Sequence, residues 1–254
     1  MARRTVAGQP ARRSDRDSRT GGRGFVEEDE GFLAAEDAAR IYAILQNVRI
    51  PSSVFYLSLE ALEAPQTSSL LAHYLPEALG AFIVAHLRRL LRAVPDDIEG
   101  ADGFELWTTR PKRSETGQIY LHVDCDEQLR TGAGVICTPM LGSVLYLGPQ
   151  EGLVGGETLF VTEERLSDQF PCFKFHHWEG LAAQADSVRV VEPRPGKLVL
   201  FSGDTPHGQA PVVDHPDGLP RIALLANLWS ARIGHVPAGI CALSPEEFRR
   251  RASV

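Results

Sequence analysis

The pattern of apolar and polar positions changes between the first hundred residues and the rest of the chain. Residues 34–47 place apolar side chains at the three- to four-residue spacing of an amphipathic helix, at Ala38, Ile41, Tyr42 and Leu45. Pro51 ends this helix, because the residue before a proline leaves the helical region. Residues 75–93 predict a longer helix with Pro76 in its first turn, whereas residues 54–63 fit either a helix or a strand.

From about residue 104 onward, short apolar runs separated by Gly, Pro, Asp and Ser replace the helical spacing. Such runs predict β-strands joined by turns, here at 118–124, 134–138, 143–147, 157–161, 188–192, 197–202 and 221–229. Gly155-Gly156 should form a turn with positive φ before the strand at 157–161. Many short strands favour a sandwich or barrel. The sequence therefore predicts a mainly β protein of the α+β class, with N-terminal helices and a jelly-roll core.

We expect four parts along the chain. Residues 1–24 are rich in Arg, Ser and Gly with almost nothing to bury, which predicts a disordered basic tail. This tail lacks the apolar stretch of a secretory signal. Residues 25–103 should form a helical support, and residues 104–236 a single catalytic β core. Residues 237–254 should form a C-terminal segment with a short helix.

Composition and charge exclude several classes of function. The chain has 254 residues, 43% of them hydrophobic, and a formal net charge of −7, which gives no general electrostatic reason to bind nucleic acid or an anionic membrane. No apolar run approaches the roughly 20 residues of a membrane span. The four cysteines form no C-x-x-C pair, which argues against a zinc ribbon or a disulfide scaffold. Unpaired thiols fit a reducing environment, so we expect a cytoplasmic protein.

A His-x-Asp triplet is the most informative chemical feature of the chain. In a strand, His122 and Asp124 project from the same face, because side chains two positions apart share a face. A further imidazole, His207, follows an apolar run and the turn at 203–206. Two imidazoles and one carboxylate form the facial ligand set of non-haem Fe(II) oxygenases, and the same set accepts other divalent transition metals.

Two further residues, His215 and Cys125, bear on this assignment. His215 is the rival to His207 as the second imidazole, but it lies in a loop with Pro and Asp neighbours, which favours exposure to solvent. Cys125 follows Asp124 directly and should point to the opposite face of the strand. We therefore interpret Cys125 as a packing residue, since a free cysteine usually behaves as a small apolar side chain.

Residues 118–230 resemble the 2-oxoglutarate- and Fe(II)-dependent oxygenase superfamily, above all its prolyl-4-hydroxylase-like branch. The resemblance is carried by four segments in the order that the family uses: Tyr120-Leu-His122-Val-Asp124; Ser143-Val-Leu-Tyr146-Leu with Gly155-Gly156-Glu157-Thr158-Leu-Phe160; Pro195-Gly196-Lys197-Leu-Val-Leu-Phe201 before His207; and Arg221. The first hundred residues match no motif of the family.

The resemblance implies a double-stranded β-helix, which is a jelly-roll or cupin-like core, with Fe(II) held by His122, Asp124 and His207. It also implies that Arg221 binds the distal carboxylate of the cosubstrate 2-oxoglutarate, as a guanidinium forms two-pronged bonds to carboxylates. Tyr146 and Thr158 would line the same cosubstrate pocket. The implied reaction uses O₂ and converts 2-oxoglutarate to succinate, with ascorbate as reductant. It hydroxylates an unactivated C–H of an amino acid, a peptidyl residue or a small metabolite.

The substrate site is less well defined by the sequence. The stretch 162–187 is long and aromatic, and Lys174, His176 and Trp178 within it could line a substrate groove. Arg130 could recognise an acidic group of the substrate, or be a solvated surface residue. The partner is expected to be a small molecule or a peptide, and the sequence gives no oligomeric state.

Two other interpretations remain open at this stage. One is a cupin-like metal enzyme that does not use 2-oxoglutarate. The other is a non-enzymatic jelly-roll binding protein that has kept a vestigial site. The carboxylate of Asp124 favours hydroxylation over halogenation, because halogenating relatives have a small residue at this position; desaturation and ring formation stay open.

Overall fold

The computed structural model describes residues 25–93, 100–110, 119–162, 188–214, 219–234 and 240–253. The predicted basic tail at 1–24 lies outside these ranges. Within them the chain forms the helices α1 (Ala35–Leu45), α2 (Leu59–Glu63), α3 (Thr67–Leu71), α4 (Glu77–Ala93), α5 (Glu127–Ala133) and α6 (Pro245–Ala252). None of the helices in the described ranges is both long and apolar enough to cross a membrane.

The strands of the same ranges are β1 (Val26–Asp29), β2 (Phe55–Ser58), β3 (Gly103–Thr109), β4 (Ile119–His122), β5 (Leu141–Gly148), β6 (Val154–Gly155), β7 (Thr158–Val161), β8 (Val188–Val191), β9 (Leu198–Ser202), β10 (His207–Gln209), β11 (Val212–Asp214) and β12 (Ile222–Trp229).

Two antiparallel sheets form the core of the fold. The larger sheet has the strand order β1-β9-β5-β12-β3-β2, and the smaller sheet has the order β4-β10-β7-β8. Strands β6 and β11 form a separate ribbon. From β4 onward the chain passes repeatedly from one sheet to the other, which is the jelly-roll arrangement of a double-stranded β-helix. This topology confirms the predicted fold class.

Strand β5 shows how the sequence separates the two faces of the larger sheet. Leu145 and Leu147 belong to the apolar cluster that contains the buried faces of α1 and α4. Val144 and Tyr146 point the other way and pack with Phe160 of the smaller sheet. This alternation follows from the two-residue period of a strand. The helices therefore cover one face of the larger sheet, and the smaller sheet covers the other.

The two helices predicted from apolar spacing are confirmed as α1, which is one residue shorter at its start and two at its end, and α4, which is two residues shorter at its start. The ambiguous residues 54–63 form a strand and then a helix, β2 and α2. The region that we expected to be a helical support also contributes strands to the larger sheet, because β1 pairs with β9 and β2 pairs with β3. Both are edge strands of four residues, too short to show a clear alternation.

The strand predicted at 134–138 is wrong. Helix α5, which the sequence analysis did not predict, ends at Ala133 and is capped by Gly134 with φ of +66°, and the residues that follow are irregular. Val135 is half exposed, so this apolar run is not a buried strand. The buried Asp126 begins α5, since its Oδ1 accepts hydrogen bonds from the backbone N–H groups of Gln128 and Leu129 at 2.9 and 3.1 Å. Its Oδ2 accepts from the N–H of Gly234 at 2.8 Å.

A neutral histidine is buried between α4 and the start of α1. The ring of His86 stacks on Phe82 at 5.8 Å and meets the edge of Phe32 at 5.6 Å. Neither ring nitrogen has a hydrogen-bond partner among the described residues. Burial, reinforced by the charge of Arg89, lowers the pKa of His86 to about 4 from 6.5.

This burial predicts a stability that depends on pH. The unfolded chain binds a proton at His86 below about pH 6.5, whereas the folded chain does not until about pH 4. Folding free energy is therefore lost as the pH falls through this window, by about 3 kcal/mol. Denaturant unfolding at pH 7 and pH 4 measures the drop in the free energy of unfolding. This drop should be smaller for His86→Phe than for the wild type, by about 3 kcal/mol. The control His73→Phe, at an exposed histidine, should keep the wild-type pH dependence. Equal slopes of unfolding free energy against pH for H86F and the wild type would contradict the prediction.

Candidate active site

Pairing between two strands of the smaller sheet brings the two histidines together. His122 is the last residue of β4 and His207 is the first residue of β10. The two strands are antiparallel, with His207 directly opposite His122 in the register. Side chains in such a pair are neighbours, and the two ring centroids lie 4.6 Å apart.

Asp124 completes a compact group of three. The Nε2 of His122 lies 3.3 Å from Asp124 Oδ1, and the Nε2 of His207 lies 3.6 Å from Asp124 Oδ2. One nitrogen or oxygen atom of each residue can be chosen so that all three lie within 4.8 Å of one another. Asn227 of β12 orients the carboxylate, since its Nδ2 donates a 2.9 Å hydrogen bond to Oδ2.

The predicted strand at 118–124 ends earlier than expected, at His122. Asp124 therefore faces the histidines because of the irregular path after β4, and the strand alternation invoked for it does not apply. The same path changes the position of Cys125, which lines the cavity beside Asp124 instead of packing on the opposite side. Its Sγ lies 3.6 Å from Oε1 of Glu127.

Hydrogen bonding and burial leave His207 able to act as a metal ligand. Its Nδ1 donates to the carbonyl oxygen of Thr205 at 3.0 Å, which leaves the lone pair of Nε2 directed at the group of three. Burial lowers the pKa of His207 to about 4, although Asp124 acts in the opposite direction. Burial raises the pKa of Asp124, but His207, His122 and Asn227 outweigh it and hold that pKa below its usual range. At neutral pH the group therefore offers neutral imidazole and a carboxylate.

A buried guanidinium lies in the same cavity. Arg221 is 2% exposed; its Nη1 donates to Gln209 Oε1 at 2.7 Å and its Nη2 to Thr158 Oγ1 at 3.3 Å. Its Nε has no hydrogen-bond partner within the described ranges. Burial lowers the pKa of Arg221, while Tyr146 and Glu157 raise it. A cation so placed, with one donor unused, can receive a carboxylate.

Gly156 makes room for this guanidinium. A Cβ at Gly156 would come within 2.9 Å of Cδ of Arg221, and its φ is +76°. Gly155 has φ of +81°, so the positive φ predicted for this pair is confirmed. Tyr146 lies behind the pocket wall: its hydroxyl donates to Thr158 Oγ1 at 2.6 Å, and its ring lies 5.1 Å from Cζ of Arg221.

A cavity of about 250 Å³ joins these groups. Arg221, Thr158 and Gln209 line it together with His122, Asp124 and His207. Side chains of β3 and β12 and of other segments also contribute to the lining: Ser52, Ser53, Glu105, Trp107, Thr109, Cys125, Glu127, Leu225, Asn227 and Trp229.

Sequence reasoning missed several of these lining residues. Glu105, Trp107 and Thr109 alternate along β3, and this two-residue spacing was the signal that could have revealed both the strand and its inward face. Gln209 and Asn227 had no comparable signal. Their roles depend on contacts with Arg221 and Asp124, which are distant in the sequence.

The predicted substrate residues are not found in the lining of this cavity as the structure describes it. Arg130 does not line the cavity; on α5 its guanidinium pairs with the carboxylate of Glu127, whose Oε2 lies 2.8 Å from its Nε. Lys174, His176 and Trp178 lie outside the described residues, as does His215.

No protein-family model matches the chain, and no curated protein matches it either. Among solved structures, it is similar to a prolyl-4-hydroxylase from Pseudomonas putida, with 18% identity and a TM-score of 0.47 over 80% of this chain and 84% of that one. It is also similar to HygX from Streptomyces hygroscopicus, with nickel, 2-oxoglutarate and hygromycin B bound, at 14% identity and a TM-score of 0.47 over 88% and 94%.

A third similar structure is a prolyl hydroxylase from Trichoplax adhaerens in complex with a peptide fragment of hypoxia inducible factor. The identity is 11% and the TM-score 0.45, over 81% of this chain and 83% of that one.

The geometry predicts a graded loss of metal affinity. Asp124→Ala removes a carboxylate, one of the three expected ligands. We expect the affinity for Co(II), measured by calorimetry, to fall by more than about a hundredfold, because this exceeds the usual effect of losing a residue that only orients a ligand. Asn227→Ala removes only the hydrogen bond to that carboxylate and should cost about 10- to 100-fold. Glu36→Ala on the exposed side of α1 serves as the control. Wild-type affinity in the D124A protein would exclude a metal centre here.

Proposed function

We propose that this chain is an Fe(II)- and 2-oxoglutarate-dependent oxygenase that hydroxylates an unactivated C–H bond. One observation carries the proposal: a His-Asp-His group and a buried arginine with an unused donor line the same cavity of about 250 Å³. The first suits a divalent metal and the second suits a carboxylate. A dicarboxylate cosubstrate that chelates a metal at one end would contact both.

His122, Asp124 and His207 would hold the iron. The donor set fits this metal, because two neutral imidazoles and one carboxylate on one side leave other positions open. The bond from His207 Nδ1 to the Thr205 carbonyl fixes the tautomer that a ligand requires. Asn227 keeps the Asp124 carboxylate turned towards both imidazoles. When bound, the iron supplies the activation of O₂ and of the C–H bond.

Arg221 would bind the distal carboxylate of 2-oxoglutarate. Thr158 and Gln209 hold the guanidinium from two sides, and Tyr146 supports Thr158 from behind. The cavity wall excludes water from this charge pair, which strengthens it. The overall reaction combines R–H, 2-oxoglutarate and O₂ to give R–OH, succinate and CO₂, so two oxygen atoms enter two different products.

Within this class we favour hydroxylation of an amino acid, a peptidyl residue or a small metabolite, as in the prolyl-4-hydroxylase-like branch. The carboxylate of Asp124 occupies the position that a halide would need in a halogenating enzyme. We expect ascorbate to sustain turnover by keeping the metal reduced.

Succinate formation tests the proposal. Protein purified without O₂ is supplied with Fe(II), ascorbate, 2-oxoglutarate and air, with and without a panel of amino acids and peptides. We expect slow succinate formation without substrate, its loss in His122→Ala, and stimulation by a matching panel member. Bound iron without any succinate would favour a cupin-like enzyme that does not use 2-oxoglutarate. Failure to bind iron at all would favour a non-enzymatic binding protein.

The position of Arg221 predicts a specific kinetic change. Arg221→Ala should raise the KM for 2-oxoglutarate about 10- to 100-fold, the cost of losing hydrogen bonds to a charged group, with a smaller change in kcat. Arg221→Lys keeps the charge but lacks the planar arrangement of donors, so its KM for 2-oxoglutarate should lie between those of the wild type and R221A. Arg40→Ala, an exposed arginine of α1, should behave as the wild type. An unchanged KM in a folded R221A protein would place the cosubstrate anchor elsewhere.

A further inference from the structure

Two buried side-chain N–H groups in the lining of the cavity lack a hydrogen-bond partner. They are the Nε–H of Arg221 and the Nε1–H of Trp229, and among the described lining residues no other buried side-chain nitrogen is left unpaired. A buried donor without a partner is uncommon in folded proteins and costs stability. The proposed cosubstrate supplies a partner for Arg221, but it leaves Trp229 without one.

Trp229 lies beyond the metal group when β12 is followed from Arg221. The lining residues Leu225, Asn227 and Trp229 succeed one another along β12 at intervals of two, and Arg221 comes just before the strand. Asn227 marks the position of the metal group on this strand, because it donates its hydrogen bond to Asp124. Residues two positions apart on a strand are separated by about 7 Å. Trp229 is therefore one such step past the metal group, on the side away from Arg221.

We propose that the indole N–H of Trp229 donates a hydrogen bond to an oxygen of the substrate, a carbonyl or a hydroxyl oxygen, and thereby positions the substrate beside the metal group. The inference rests on the proposed function, and it narrows the substrate class to molecules that carry such an oxygen close to the oxidised carbon. An indole nitrogen is a donor only. A substrate group that can itself only donate therefore cannot satisfy it.

The ring of Trp229 is held in place by its neighbours. It is 2% exposed and belongs to a cluster with Tyr56 and Ile233, against which Cys137 packs. Its cross-strand neighbour is Gly103, and a Cβ at Gly103 would come within 2.8 Å of Cε1 of Tyr56. The ring of Tyr56 therefore fills the space beside Gly103. A donor that is already immobilised loses little conformational freedom when it binds a ligand, which favours binding in one orientation.

The two unpaired donors assign different parts of the cavity to cosubstrate and substrate. Arg221 would bind the distal carboxylate of 2-oxoglutarate, and Trp229 would bind the substrate oxygen. Asn227, which holds the Asp124 carboxylate, lies between them on the same strand. Because only one strand step separates Trp229 from Asn227, the substrate carbon nearest the metal group should be a few bonds from the oxygen that Trp229 binds.

The indole N–H signals of the protein test the proposal without turnover. The chain has three tryptophans, Trp107, Trp178 and Trp229, so the ¹H–¹⁵N spectrum of ¹⁵N-labelled protein contains three indole signals. The signal that is lost in Trp229→Phe, and kept in Trp107→Phe and in Trp178→Phe, belongs to Trp229. The protein is loaded with saturating 2-oxoglutarate and with Zn(II), which has a filled d shell and no redox chemistry.

Three probes with the same four-carbon chain are then titrated. Butyramide carries a carbonyl oxygen, 1-butanol carries a hydroxyl oxygen, and 1-fluorobutane carries a fluorine, which is a very poor hydrogen-bond acceptor. We expect at least one oxygen probe to move the Trp229 proton signal downfield, because a hydrogen bond deshields the proton, and 1-fluorobutane to leave it in place. The oxygen probe with the larger effect distinguishes a carbonyl from a hydroxyl substrate. A Trp229 signal that neither oxygen probe moves would overturn the proposal.

The variant Trp229→Phe separates the hydrogen bond from packing. It keeps an aromatic ring but lacks the N–H, so it should weaken binding of the effective oxygen probe by about three- to tenfold, the contribution of one neutral hydrogen bond. Its affinity for 1-fluorobutane, measured like the other by ligand-observed NMR, should stay at the wild-type value. Thermal melting shows whether the variant is folded, and the spectra of the wild type give their answer even if it is not. An equal loss of affinity for both probes would show that Trp229 acts through packing alone, against the proposal.

This inference and the proposed function can fail separately. A shift of the Trp229 signal by an oxygen probe, without any succinate formation, would refute the oxygenase reaction alone. Succinate formation by a protein whose Trp229 signal no oxygen probe moves would refute this inference alone.

Discussion

The antiparallel pairing of β4 with β10 is the constraint on which the candidate site depends. Its register sets His122 opposite His207, so that two residues far apart in the chain become nearest neighbours. A shift of one residue would turn one of the imidazoles to the other face of the sheet. The register is stabilised in turn by the pairing of β10 with β7, which holds His207 against Phe160.

The larger sheet positions two polar residues of the candidate site, Asn227 and Arg221. Strand β12 contributes Asn227 to orient the Asp124 carboxylate, and Arg221 lies just before its first residue. Because β12 is central, between β5 and β3, Asn227 is paired with a residue of a neighbouring strand on each side. The apolar residues on its opposite face pack towards the helices. Precise placement of the polar groups is thus combined with a continuous apolar core.

Much of this could be predicted from the sequence, and the exceptions have physical reasons. The spacing of apolar residues predicted α1 and α4, and the triplet at 122–124 with His207 predicted a group that the structure does bring together. Short strands were not predicted, because a strand such as β10 has only three residues and shows no alternation of apolar and polar positions. The irregular backbone path after His122 was not predicted either, and the position of Cys125 was therefore wrong, because side chains alternate between two faces only inside a strand. Gln209 and Asn227 were missed because a hydrogen-bond partner distant in sequence leaves no local pattern.

The buried Asp126 links two segments that contribute side chains to the cavity lining. One oxygen accepts a hydrogen bond from the first turn of α5, and the other accepts one from Gly234, which follows the end of β12. The start of α5, with the lining residue Glu127, and the chain beyond the lining residue Trp229 are therefore tied together by one carboxylate. The two segments should move as one unit, so that enlarging the cavity on this side requires a change at Asp126 rather than in either segment alone.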